Sequence, residues 1–203
     1  NLQFEENHGQ AESGTKLLAR GTGYVMHLGR EVSWRFSSTT ESEDIADNSR
    51  EFRVGFVGAN ENAPVVGESE SPSQINYLLG DDPEKWLTRI PSFNSARYVN
   101  LYQGVDLVFY GSKDQVEYDF VISPEADPSG IGVRFTGADR SEIDSSGELV
   151  HHLGVRQIVQ RAPIAYQVIN GVRQRISSRF VMREPDIFGF EVGSYDASIP
   201  LVI

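Results

Sequence analysis

The sequence predicts an all-β protein, antiparallel and β-sandwich-like, built from two packed β-units with one short helical turn near residues 82–87. Three observations predict it. Apolar and polar residues alternate in short runs with the period of a strand. Clusters of Gly, Pro, Asn, Asp and Ser separate those runs. One stretch, Asp82-Pro83-Glu84-Lys85-Trp86, opens as a helix does, with Asp as N-cap and Pro as first helical residue, and Trp86 is expected to tuck beneath that turn.

Residues 1–14 are polar apart from Leu2 and Phe4, which are expected to pin an extended arm. Residues 23–36 follow as a hairpin. A three-residue loop at Gly29-Arg30-Glu31 pairs Leu28 with Val32, Met26 with Trp34 and Tyr24 with Phe36, gathering all six on one face. Residues 37–50 read as an acidic connection. Phe52, Val54 and Phe56 then alternate along a strand, and Ile75–Leu79 form a short one.

The densest alternation lies in residues 104–122. A four-residue loop, Gly111 to Asp114, pairs Phe109 with Val116, Leu107 with Tyr118 and Val105 with Phe120. Further strands are expected at 131–135, 148–153, 155–160, 164–169, 172–182 and 187–192, with Asn170-Gly171 as the strongest hairpin turn. Phe52-x-Val54-x-Phe56-x-Gly58-Ala59-Asn60 matches Ile131-x-Val133-x-Phe135-x-Gly137-Ala138-Asp139, each after a hairpin ending in an aromatic-x-Phe pattern. That match reads as a duplicated β-unit inside a single module over 1–203, with sub-units at 1–80 and 95–203.

Composition narrows the function. Of 203 residues, 39% are hydrophobic, enough for a real core. A net charge of −11 argues against nucleic acid and anionic lipid as partners, because both need a basic surface. With no cysteine, disulfides, thiol catalysis and cysteine-held zinc are excluded. No apolar run is long enough to span a membrane. The chain opens Asn-Leu-Gln-Phe and stops in Pro200-Leu201-Val202-Ile203, which reads as a fragment whose parent continues.

Two constellations carry candidate chemistry. The register of 104–122 sets Asp106 opposite Asp119, with Glu117 and Tyr110 close by. Facing carboxylates repel, so a partner is expected: Arg97 or Arg134, or a hard cation such as calcium held by Asp106, Glu117 and Asp119. No other cofactor is expected. The second constellation is basic. Arg173, Arg175, Arg179 and Arg183 alternate along one strand, and a two-residue turn sets Tyr166 across from Arg175 for a cation–π contact that could grip a polysaccharide. Trp86, Tyr77 and Tyr110 are candidates for sugar stacking. His151 and His152 are adjacent on a strand and point to opposite faces, so they cannot share a metal. Gly67-Glu68-Ser69-Glu70-Ser71 lacks the second glycine of a nucleophile elbow, and Gly21-Thr22-Gly23 precedes a strand, not a phosphate-binding helix.

The strings FEENHGQ (4–10), LLARGTGYVMHL (17–28), Asn76-Tyr77 with Trp86 downstream, GVDLVFYG (104–111), EYDFVISPEADPSGI (117–131) and YDASIPLVI (195–203) occur in order. Together they resemble the N-terminal domain that precedes seven-bladed β-propeller (SBBP) repeats in large bacterial exported proteins. The resemblance covers essentially the whole chain. It implies an all-β accessory module, an extracellular or cell-surface location, and downstream repeats of the same polypeptide as partners; it implies no catalytic residue. The functional expectation is therefore a non-catalytic structural or interaction module. A carbohydrate- or calcium-binding module is the alternative, and a glycoside hydrolase domain resting on abundant carboxylates is the third.

Overall fold

Among the described residues, strands recur from Phe4 to Val202. The computed structural model describes residues 2–36, 51–112 and 115–203; the acidic connection 37–50 and the hairpin tip at 113–114 lie outside the described residues. In the first half the strands are β1 Phe4–Glu6, β2 Leu17–Gly21, β3 Tyr24–Leu28, β4 Val32–Phe36, β5 Glu51–Val57, β6 Val65–Glu70, β7 Ile75–Tyr77, β8 Leu87–Ile90 and β9 Ser92–Tyr102. The second half adds β10 Val105–Ser112, β11 Gln115–Ile122, β12 Gly132–Thr136, β13 Arg140–Ile143, β14 Leu149–Leu153 and β15 Arg156–Gln160. The last are β16 Ala165–Ile169, β17 Val172–Ile176, β18 Ser178–Glu184, β19 Ile187–Val192 and β20 Leu201–Val202.

Helical geometry among the described residues is limited to two single 3-10 turns, Pro83–Lys85 and Pro128–Gly130. Both open on an Asp-Pro pair, and in both the aspartate carboxylate accepts a backbone N–H two residues on. The first is the expected turn, and half-buried Trp86 follows it, donating its indole N–H to the Gly80 carbonyl at 3.1 Å. No helix among the described residues is long and apolar enough to cross a membrane.

Fifteen strands form one antiparallel sheet, ordered β17-β16-β20-β11-β10-β9-β1-β2-β3-β4-β5-β12-β19-β18, with β6 attached to β9. Its two end strands, β17 and β18, are consecutive in the chain and separated by Ser177 alone. The Ser177 carbonyl accepts from Gly193 N–H at 2.8 Å. Ser178 Oγ donates to the Pro163 carbonyl at 2.8 Å and accepts from Ala165 N–H at 3.1 Å. The sheet therefore bends round until its ends meet, and the strand expected over 172–182 is two strands flanking that joint.

The interior is one hydrophobic cluster drawn from both halves of the chain. Aromatic rings carry it across: Phe56 to Tyr98, Tyr98 to Phe109, Phe109 to Tyr118, Tyr118 to Phe120 and Phe120 to Phe190, with centroids 5.5–6.2 Å apart. Each such pair adds about 1 kcal/mol beyond its burial. The first hairpin has the expected register, Leu28 to Val32, Met26 to Trp34 and Tyr24 to Phe36. Asn170 and Gly171 both take positive φ, as a two-residue turn between Ile169 and Val172 requires.

The two matching segments lie side by side. β5 pairs with β12, Phe56 facing Val133 and Val54 facing Phe135. Gly58 and Gly137, at equivalent places in the matching strings, both have positive φ, and a Cβ on Gly137 would stand 2.1 Å from the Glu51 carbonyl oxygen. The likeness stops there: β4 pairs with β5, whereas β11 pairs with β20 and not with β12.

A smaller sheet, β13-β14-β15, packs Leu149, His151 and Leu153 into the core. His151 is fully buried, with its ring 4.9 Å from Phe52 and 4.3 Å from Phe135. Its polar atoms are all used. Tyr118 OH donates to Gln160 Oε1 at 2.5 Å, Gln160 Nε2 donates to His151 Nε2 at 2.7 Å, and His151 Nδ1 lies 2.8 Å from Ser141 Oγ. That order makes His151 a neutral ring with its proton on Nδ1. Burial holds its pKa down at about 4. As expected, adjacent His152 points to the other face, where it meets Glu142 at 3.1 Å.

Candidate functional site

β10 and β11 were expected to enclose a four-residue loop, and the structure corrects this. Ser112 faces Gln115, so only residues 113–114 intervene, and the pairs are Val105 with Ile122, Leu107 with Phe120 and Phe109 with Tyr118. Asp106 consequently faces Val121, Asp119 faces Val108, and Glu117 faces Tyr110. The expected clash of Asp106 against Asp119 does not occur. A slide of two residues leaves every side chain on its own face, so the apolar pattern alone could not choose between the registers.

Each carboxylate finds its own tie. Asp106 accepts from Arg97 Nη1 at 2.9 Å and from the Asn100 backbone N–H at 2.6 Å, while Arg97 Nε reaches Glu68 at 2.6 Å. Of the two arginines expected, Arg97 is the partner; Arg134 sits on β12 facing Gly55. Asp119 accepts from Tyr110 OH at 3.0 Å. Burial raises the Asp119 pKa, with Glu117 adding to the rise and Arg173 opposing it. Burial, then the charge of Asp119, pushes the Tyr110 hydroxyl up, which keeps it a donor. Asp106, Glu117 and Asp119 do not converge on a common point as metal ligands; no such group of three is found among the described residues.

The arginine stripe also divides. Tyr166 faces Arg175 as expected, but the guanidinium over its ring is that of Arg173, 4.5 Å from the centroid. Arg179 lies beyond Ser177 on β18, where Glu191 holds it at 2.7–2.8 Å. Arg183 lies across Gly189, where an added Cβ would stand 2.5 Å from its Nε. The chain steps at Ser177 from the strand paired with β16 to the strand paired with β19, and that step ends the stripe. What remains together is an outward face over β10, β11, β20, β16 and β17. It carries Tyr110, Glu117, Asp119, Tyr166, Arg173 and Arg175, and Val202 joins Tyr166 on one side to Val121 on the other. Trp86 belongs elsewhere, beside β8.

A second polar cluster was invisible in the sequence. Glu5 on β1 is only 2% exposed, covered on the outer side of the sheet. Its Oε1 accepts from Arg20 Nε at 3.2 Å and from Tyr77 OH, and Arg20 also reaches Tyr77 OH at 2.9 Å. Glu5 Oε2 is buried without a partner among the described residues. Two residues on, Asn7 organises the following loop. Its Nδ2 donates to the Thr15 and Glu12 carbonyls, each at 2.9 Å, and its Oδ1 accepts from Gly9 and Ala11 N–H. The only signal was the polar string FEENHGQ itself, since nothing in an acid beside Phe4 announces burial.

The residues thus define a class: an all-β antiparallel module whose large sheet nearly closes on itself, tied across strands by carboxylates. A family model described as a domain of unknown function (DUF7948) matches residues 4–203, and the chain belongs to that family. No curated protein and no solved structure matches.

Proposed function

We propose that the chain is a non-catalytic structural and interaction module of a secreted or surface-anchored bacterial protein, placed ahead of β-propeller repeats. One observation carries this reading: Glu5, Asp106 and Asp119 each accept a hydrogen bond from a neighbouring strand. Glu5 fastens β1 to β2 and β7, Asp106 fastens β10 to β9, and Asp119 takes the hydroxyl of Tyr110. A hydrolase would instead hold two carboxylates free across an open cleft, about 5–10 Å apart. The resemblance of the six strings supports the exported setting.

The test is turnover. Purified protein, Asp106→Asn and Glu117→Gln are incubated with chromogenic glycosides and dyed polysaccharides. No product from any of the three is expected. Product formed by the parent and lost in either variant would overturn the reading.

A further inference from the structure

We propose that the outward face of β10, β11, β20, β16 and β17 binds a neutral oligosaccharide, with Asp119, Tyr166 and Arg175 as its principal contacts. The proposal rests on the module reading and names the ligand class that such a module would hold.

Asp119 has unused bonding capacity. A carboxylate can accept about four hydrogen bonds. Among the described residues Asp119 receives one, from Tyr110, and it is half-buried. Desolvation without matching donors is what raises its pKa, so additional neutral donors would find an acceptor there. Beside it, Glu117 and Arg175 have no ion-pair or hydrogen-bond partner among the described residues, and the Arg173 guanidinium lies over the Tyr166 ring, within electrostatic reach of Asp119. The floor between these groups is apolar: Val121 and Val202, continued by Val168, which is 53% exposed.

Charge selects the ligand. Glu117 and Asp119 carry two negative charges, Arg173 and Arg175 two positive ones, and Asp106 is already offset by Arg97. A polyanion would gain at β17 and be repelled at β11, and a polycation the reverse. A chain of sugar rings satisfies both ends. Its hydroxyls donate to Asp119 and Glu117 and accept from the guanidinium N–H groups, while its C–H faces lie on the valine floor and the tyrosine ring. The site sits on sheet rather than loop, so the backbone positions from which its donors and acceptors project are fixed before the ligand arrives.

Calorimetry tests this with cellohexaose, xylohexaose, mannohexaose, laminarihexaose and chitohexaose, and with hexagalacturonate and hexalysine as charged comparators. At least one neutral hexasaccharide is expected to bind, with affinity reduced about tenfold or more in Tyr166→Ala and in Asp119→Asn. Arg175→Ala, at an exposed position on β17, serves as a third variant whose folding is not in question. The proposal is overturned if no neutral hexasaccharide binds, if only a charged comparator does, or if binding survives all three substitutions. Absence of binding together with absence of hydrolysis removes the sugar face and leaves the module reading standing. Sugar cleavage during the titration would remove the module reading as well.

Discussion

Arg20 and Arg97 each make two side-chain hydrogen bonds across strands, and a count of the carboxylates reached makes Arg97 the more important of the two. It serves both Asp106 and Glu68, whereas Arg20 serves Glu5 and shares Tyr77. Burial reverses that ranking. Asp106 and Glu68 are about a third exposed, so water can replace the guanidinium. Glu5 is 2% exposed, and its second oxygen already lacks a partner among the described residues. An ion pair is worth what remains when one member leaves, and here the acid decides.

Substitution of the two arginines gives the largest expected effect and can break the comparison outright. Arg20→Ala leaves Glu5 buried with Tyr77 alone and is expected to destabilise by about 3 kcal/mol in urea unfolding. Arg97→Ala leaves two carboxylates that solvent can reach and should lose only about 1 kcal/mol. Equal losses would show that burial of the acid is not what separates the two regions.

The buried histidine extends the same logic to pH. Above pH 6.5, the ordinary value, His151 is neutral whether the chain is folded or not; between there and about 4 only the unfolded chain takes up the proton. Stability therefore falls as pH drops through that window, by about 3 kcal/mol once it is crossed. The difference in unfolding free energy between the parent and His151→Asn, measured at pH 7 and at pH 4, should shrink by that amount. A difference independent of pH would show that His151 titrates normally.

The smallest effect belongs to the open face. The Asp119 pKa is raised, so the folded state holds this proton more firmly than the unfolded one. The contribution to stability is present below the ordinary carboxylate pKa and lost as pH rises through the folded value. Asp119→Asn should accordingly melt at the same temperature as the parent at pH 7, or slightly higher. A clear drop would mean that the carboxylate is a fastener like Glu5, and the contrast between the regions would fail.

How much of this was legible in the sequence depends on what each side chain reveals. Met26, Leu28, Val32 and Trp34 show their face by hydrophobicity, and their hairpin was read in the correct register. Leu107, Phe109, Tyr118 and Phe120 showed their face equally well, but pairing was off by two residues because face and register are separate facts. The longest strand, β9, was not foreseen. Its buried positions include Ser92 and Ala96, too small and too polar to write an apolar alternation. Glu5 was hidden for the opposite reason: its burial comes from β7, some seventy residues away in sequence, and local pattern carries no trace of it. On the open face, Tyr166 opposite Arg175 followed from the Asn170-Gly171 turn, whereas the separation of Arg179 depended on a change of partner strand at Ser177.

That joint has a consequence for how the chain folds. Closing a sheet on itself ordinarily requires distant strands to find each other, and the entropy lost grows with the length of chain between them. Here the two strands at the seam are neighbours in the chain, with Ser177 as the whole connection. Closure at this point is nearly free of search. The slow step falls instead on pairings such as β1 with β9 and β5 with β12, where about two-fifths of the chain must be gathered first.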